Sequence, residues 1–366
     1  MIRVLFMPLL QIPSGHHHVA DTISAQLKQN DETTGEFYCE KLEILSHCYG
    51  PMEKLISSLY LKFIHTVPNI YSKLYKIAAV KGTKRKHYSI YDQLFLKKLW
   101  NAIREKNPHV VICSHALPSY LLNRLKEKKQ WSGTVINVYT DYFVNDLWGL
   151  EQIDYHFAPC HEVKQYLMDK GIPKHRIVLT GIPIDPIFRN QPIRDTKKDK
   201  FSILISGGNM GAGSMDKLIH RLKPQGDLIY YVLCGKNKKL FQKLDQQNHP
   251  SIIPLPYLDS KSKMNQLYDT VDAVITKPGG VTITECLWKK LPILIYEALP
   301  GQEEFNLRYL IEQRFAFHLN DFNPPIEKKI LEWLRMGDRQ PMHFFHQQIN
   351  VNNMKGILKS TVTRNK

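Results

Sequence analysis

Three segments hold most of the chemistry that this sequence offers. Ser206-Gly207-Gly208-Asn209-Met210-Gly211-Ala212-Gly213-Ser214 sets four glycines within seven positions, between a strand-like run and the helix-like Met215 to Leu222. Glycines let backbone N–H groups approach a phosphate, and a helix start adds a favourable dipole; a plain tight strand-to-helix turn is the competing explanation. The segment has no G-K-[ST], so it is not the phosphate loop of a nucleotide hydrolase. Thr276-Lys277-Pro278-Gly279-Gly280-Val281-Thr282-Ile283-Thr284-Glu285 repeats the arrangement after another strand. Its paired glycines and the Thr282 and Thr284 hydroxyls suit a diphosphate, and Glu285, one turn in, can accept from ribose hydroxyls. Thr282 as a helix N-cap and Glu285 as a surface acid of the first turn are the structural alternatives. Leu299-Pro300-Gly301-Gln302-Glu303-Glu304-Phe305-Asn306 follows the next strand with amide and carboxylate groups that fit a neutral, hydroxyl-rich ligand such as a sugar.

Other reactive types are less organised. His16-His17-His18 reads as a surface cluster or an adventitious metal site as readily as anything else, because three adjacent imidazoles cannot all face one ligand. No D-x-D pair is present to hold a metal, and neither a metal nor a cofactor is expected. The six cysteines never approach C-x-x-C spacing, which fits a reducing cytosol.

These segments need a frame that presents loops at strand ends. Arg3 to Leu10 reads as a buried strand, followed by the turn Pro13-Ser14-Gly15 and a helix-like run from His17 to about Gln29. Val110-Val111-Ile112-Cys113 and Val135-Ile136-Asn137-Val138 are short β-branched runs, each preceded by helix-like spacing. Four further buried strands are predicted within Phe201–Gly208, Ile229–Gly235, Ala273–Thr276 and Ile293–Tyr296. The alternation predicts an α/β fold of two Rossmann-like domains with parallel sheets, facing across a cleft. We assign 1–190 to the first domain, the Pro-rich, charged stretch 191–200 to a linker, 201–340 to the second domain and 341–366 to a polar, basic tail.

With 366 residues and 43% hydrophobic content, two such domains can each bury a core. The formal net charge is +16, and the stretch from Lys54 to Lys129, with 16 Lys and Arg against Asp92, Glu105 and Glu127, supplies +13 of it. Aromatic and aliphatic residues such as Tyr60, Phe63, Tyr71 and Tyr75 interleave those cations. That composition suits an anionic membrane surface, or else a solvated helix face whose apolar side packs inward. No nucleic-acid motif accompanies the charge, so nucleic acid is not expected as a partner. No run approaches the 18 apolar residues of a spanning helix, and the N-terminus lacks a signal segment.

Taken together, Lys277-Pro278-Gly279-Gly280-x-Thr282-x-Thr284-Glu285 and Pro300-Gly301-Gln302-Glu303-x-x-Asn306 resemble the donor site of the monogalactosyldiacylglycerol synthase and processive diacylglycerol glucosyltransferase family. These are inverting GT-B enzymes, related more distantly to the N-acetylglucosaminyltransferase that acts on lipid I. The resemblance extends through Gly15-His16, Thr140-Asp141-Tyr142 with Trp148, and Gly181-Ile182-Pro183-Ile184-Asp185-Pro186-x-Phe188. It implies that Gly279, Gly280 and Thr282 hold UDP phosphates, with Gly207, Gly208 and Gly211 lining the diphosphate side. By the same resemblance Glu285 takes the ribose, Gln302 and Glu303 the sugar, and Tyr257-Leu258 offers backbone to uracil. His16 and Asp141 are then the candidates for activating the acceptor hydroxyl. Asn145 stands where the family commonly has a histidine, and an amide cannot serve as a base.

The expectation is a hexosyltransferase that moves a sugar from a UDP-sugar, with inversion, to a lipid acceptor, diacylglycerol foremost. It would work from the cytoplasm, peripheral on the inner face of the membrane. The alternatives are a non-lipid acceptor and a catalytically idle UDP-sugar-binding protein.

Overall fold

The computed structural model of the chain describes residues 1–9, 14–29, 35–50, 89–190, 200–207, 215–299, 301–321 and 325–336, with positions 345, 349, 356 and 357. Two compact units divide it: Met1–Pro183 together with Gln348–Lys366, and Ile184–Gln347.

The first unit is a six-stranded parallel sheet in the order β2-β1-β3-β4-β5-β6. Its strands are β1 (Ile2–Met7), β2 (Phe37–Lys41), β3 (Val110–Cys113), β4 (Thr134–Val138), β5 (Tyr155–Ala158) and β6 (Ile177–Leu179). Every residue of Val110–Cys113 is buried, as a strand covered on both faces by helices must be, and each such Val or Ile contributes about 1.5–3 kcal/mol relative to exposure. Helices α1 (Gly15–Gln29), α2 (Ile44–Tyr49), α3 (Lys97–Lys106), α4 (Ala116–Glu127) and α5 (His161–Asp169) lie between strands, and α3 continues a helical run through Ser89–Tyr91 and a π-helical stretch Asp92–Leu96. The register aligns Met7 with Cys113 and Cys113 with Asn137. The segments bearing His16, Ser114-His115 and Thr140-Asp141 therefore leave one edge of the sheet.

The second unit repeats the scheme in the order β12-β11-β10-β7-β8-β9. It contains β7 (Phe201–Ser206), β8 (Leu228–Leu233), β9 (Ile252–Leu255), β10 (Ala273–Thr276), β11 (Ile293–Ile295) and β12 (Phe317–His318). Its helices are α6 (Met215–Leu222), α7 (Lys238–Gln247), α8 (Lys261–Thr270), α9 (Gly280–Trp288), α10 (Gln302–Glu312) and α11 (Ile326–Met336). Thr276 aligns with both Ser206 and Ile295, and Ser206 with Leu233, so the glycine-bearing loops share an edge.

Two differences from the sequence reading concern extent. Segment 184–190 belongs with the second unit rather than the first, because the 3-10 turn Pro186–Arg189 buries Phe188 against Tyr268, their rings 5.7 Å apart. Each sheet also gains strands that the periodicity missed: β2, β5 and β6 in the first, β9 and β12 in the second. Residues 191–199 and most of 341–366 lie outside the described residues.

Candidate active site

His16 sits in the first turn of α1, where the Ser14 carbonyl accepts from the N–H groups of His17 and His18. That turn splays the three imidazoles apart. His17 is buried, its Nδ1 3.3 Å from Ser14 Oγ and its Nε2 3.8 Å from Glu43, whereas His18 is exposed. His16 alone joins the sheet edge, with Nδ1 2.6 Å from the Ser114 carbonyl oxygen and 3.0 Å from Thr140 Oγ1. A carbonyl only accepts, so Nδ1 carries the proton and Nε2 keeps its lone pair. The Thr140 hydroxyl lies 3.5 Å from Asp141 Oδ2, linking the carboxylate to the imidazole. Burial pulls the His16 pKa below its ordinary value, more strongly than the Asp141 charge and the Ser114 carbonyl raise it. His115 packs edge-on to His16 with ring centroids 4.9 Å apart, and its Nδ1 caps α4 by accepting from the Leu117 N–H. Burial, and then the neighbouring His16, hold His115 well below the usual histidine range. His16 and Asp141 are thus brought together around Thr140, whose part no sequence motif announces.

The loop from Thr140 to Leu150 is fastened from below. Asn137 Nδ2 donates to the Gly149 carbonyl at 2.8 Å, and the Gly149 N–H donates to Ser119 Oγ at 3.1 Å. His156, buried and lowered to about 4, lies 3.2 Å from the Leu150 carbonyl through Nε2 and 2.8 Å from Tyr139 Oη through Nδ1. Trp148 stands edge-on to Tyr139 at 4.6 Å. Asn145 makes a local turn, its Oδ1 accepting from the Leu147 N–H.

In the second unit, Gly279 caps α9 from an extended conformation, and a Cβ there would meet open space. Gly280 opens the helix, Thr282 is half-buried on its first turn, and Thr284 faces inward, its hydroxyl donating to the Gly280 carbonyl at 2.7 Å. Thr284 therefore does not take the diphosphate role that its spacing suggested. Glu285 accepts from Tyr268 Oη at 3.1 Å through Oε2. Burial lifts its carboxyl to about 7 despite the Tyr268 hydrogen bond and the Lys261 charge, both of which lower it. Lys277, nearly buried beside the same loop, lies 3.3 Å from Glu297.

Glu303 accepts from the Leu299 N–H at 2.6 Å and so shapes its own loop, while half-buried Gln302 opens α10. Asn306 is fully buried, donating to the Pro278 carbonyl at 2.9 Å, so it ties α10 to the glycine loop and is withdrawn from any ligand. Tyr257 is exposed beyond β9 with Lys236 over its ring at 5.8 Å, and Leu258 is half-buried. Gly207 packs on Met215, whereas Gly208, Gly211 and Pro300 lie outside the described residues. Among the described residues no cluster of three or more His, Cys, Asp or Glu is arranged to hold a metal ion.

Residues 16–184 match the monogalactosyldiacylglycerol (MGDG) synthase family and residues 202–307 the C-terminal domain of glycosyltransferase family 28. Along its whole length the chain is 41% identical to the uncharacterised glycosyltransferase YkoN of Bacillus subtilis, covering 99% of that protein. The chain belongs to the MGDG synthase-like glycosyltransferases. This glycosyltransferase is also 29% identical to the processive diacylglycerol beta-glucosyltransferase of Bacillus cereus over 84% of its own length and 80% of that enzyme. Its fold is GT-B, similar to that of MurG from Acinetobacter baumannii, with a TM-score of 0.63, 13% identity and coverage of 99% and 100% of the two chains. The boundary between the two family matches falls beside the structural division at Pro183 and Ile184.

Proposed function

We propose that this glycosyltransferase moves a hexose from a UDP-sugar to a lipid hydroxyl, diacylglycerol foremost, by a single displacement that inverts the anomeric carbon. The observation that carries the reading is the 2.6 Å contact of His16 Nδ1 with the Ser114 carbonyl, which can only accept, so that Nε2 is left as a base. In the reaction His16 Nε2 takes the acceptor O–H proton and the acceptor oxygen bonds to the anomeric carbon. The bond from that carbon to the diphosphate breaks, and UDP leaves with the electron pair. Asp141, bridged by Thr140, stabilises the imidazolium as it forms. On the donor side, backbone at Gly279 and Gly280, the helix start and the Thr282 hydroxyl receive the charge that grows on the diphosphate, joined by the loop of Gly207, Gly208 and Gly211. Glu285 takes the ribose, Gln302 and Glu303 the sugar, and Tyr257-Leu258 the uracil.

A lipid acceptor is supported by the diacylglycerol-directed relative and by the basic stretch from Lys54 to Lys129, of which 51–88 lie outside the described residues. Within the described part, Ile90 and Leu94 are exposed at 61% and 45%, and Lys97 and Lys98 follow them on the outside of the same helical run. Apolar side chains beside cations suit the interface of an anionic bilayer on the cytoplasmic face. Among the described residues no helix is long and apolar enough to cross a membrane.

The test is UDP release from UDP-glucose, UDP-galactose and UDP-N-acetylglucosamine, each with and without diacylglycerol in anionic vesicles. Release that requires one donor and the lipid is expected. Release unaffected by lipid would mean transfer to water and overturn the lipid acceptor, and donor binding without release under every condition would overturn it as well.

A further inference from the structure

We propose that Tyr268, braced by Phe188, is a positioning residue for the donor: its hydroxyl holds one oxygen of Glu285 so that the other is presented to the ribose. The inference rests on the reading in which Glu285 receives the ribose of a UDP-sugar.

Glu285 lies on α9 one turn past the paired glycines, and a free glutamate there has three side-chain torsions to fix. Tyr268 reaches it from α8, a different helix, and donates through Oη to Oε2 at 3.1 Å. The tyrosine itself has little freedom, being 1% exposed with its ring edge-on to Phe188 at 5.7 Å and 65°. Phe188, 2% exposed, comes from the short turn Pro186–Arg189. That turn is fixed in its own right, because Asp185 caps it by accepting from the Ile187 N–H at 3.1 Å and pairs with Lys261, the first residue of α8, at 2.9 Å. The Asp185-Pro186-x-Phe188 motif, which the functional reading leaves without a task, thereby becomes the foundation of the ribose carboxylate.

The groups that bear on Glu285 are few. Burial raises its pKa most, Tyr268 and Lys261 of α8 lower it, and Asp185 of the turn raises it. Losing the tyrosine hydroxyl removes a stabiliser of the ionised form as well as a geometric restraint.

The experiment is calorimetric titration of the full chain with UDP and with 2′,3′-dideoxy-UDP, comparing wild type, Tyr268→Phe and Glu285→Ala. Tyr268→Phe keeps the ring that packs on Phe188, and a hydrogen bond to a charged partner predicts roughly a tenfold loss of UDP affinity. The dideoxy ligand should bind wild type and Tyr268→Phe alike, since it lacks the hydroxyls that the carboxylate would receive. The pH at which UDP affinity falls on acidification should also move upward in Tyr268→Phe. Equal losses on both ligands would mean a merely structural tyrosine and overturn the inference. Unchanged UDP affinity in Tyr268→Phe, beside a loss in Glu285→Ala, would do the same. If Glu285→Ala binds UDP as wild type does, the ribose reading itself has failed.

Discussion

A carboxyl lifted by burial from 4.5 to about 7 should destabilise the ligand-free protein at neutral pH, and Glu285→Gln should relieve that cost. Between those two values the folded state keeps a proton that the unfolded chain has lost. Stability therefore falls as pH rises through this window and levels off above pH 7. At about 1.4 kcal/mol per pH unit the whole effect is about 3.5 kcal/mol, of which about 2.5 kcal/mol develops between pH 5 and pH 8. Glutamine offers an oxygen to the Tyr268 hydroxyl but does not titrate, so only the wild type should carry this slope. Thermal unfolding of both proteins without nucleotide, at pH 5, 6, 7 and 8, reads it directly. For a unit the size of Ile184–Gln347, about 2.5 kcal/mol corresponds to about 5–10 °C. The melting temperature of the variant should gain that much on wild type from pH 5 to pH 8. A gap that stays constant across the series would refute the argument that burial holds this carboxyl up.

Replacing His16 by Ala should lower kcat by about 10²–10⁴ while leaving calorimetric UDP affinity intact, because a general base acts on the acceptor proton alone. Since burial lowers the His16 pKa, the base is neutral at pH 7, and the acid limb of kcat/KM should fall below pH 6.5. Asp141→Asn removes the charge that raises this pKa, so the limb should move further toward acid, as a pH-rate profile of the variant would report. Gly149→Ala would bring a Cβ to 2.5 Å from the Ser119 carbonyl oxygen and from Asn123 Cβ. Such overpacking should cost about 1–3 kcal/mol, measured by urea unfolding, and disturb acceptor turnover more than UDP binding.

Strands such as Val110–Cys113 and Ala273–Thr276 were legible because an uninterrupted β-branched run has few other places to go than the middle of a covered parallel sheet. The edge strands were not. Phe37–Lys41 mixes charge with aromatics, and Phe317–His318 is two residues long, so pairing with a neighbour defines them more than their own pattern does. Donor loops could be read because glycine spacing after a strand has a direct backbone meaning. Thr284 misled because alternating hydroxyls look equivalent in sequence, although a helix turns two residues apart by about 200° and sends one of them inward. Tyr268 lies outside every motif, and no local signal announces a hydroxyl supplied from another helix. The split at Pro183 is hidden for a related reason: nothing local assigns Phe188 to the second domain until its partner ring, Tyr268, is seen.

The loop from Thr140 to Leu150 is held by carbonyls and N–H groups at Gly149 and Leu150 and by side chains of Asn137, Ser119 and His156 that lie outside its span. Half-buried Phe143 and Val144 come before those moorings, and Asp146 is tied separately, accepting from the Tyr166 hydroxyl at 3.4 Å. Inherited change at Phe143 and Val144 therefore leaves those later moorings in place. A lineage carrying this frame can explore new acceptors by small substitutions while Asp141 keeps its place beside His16.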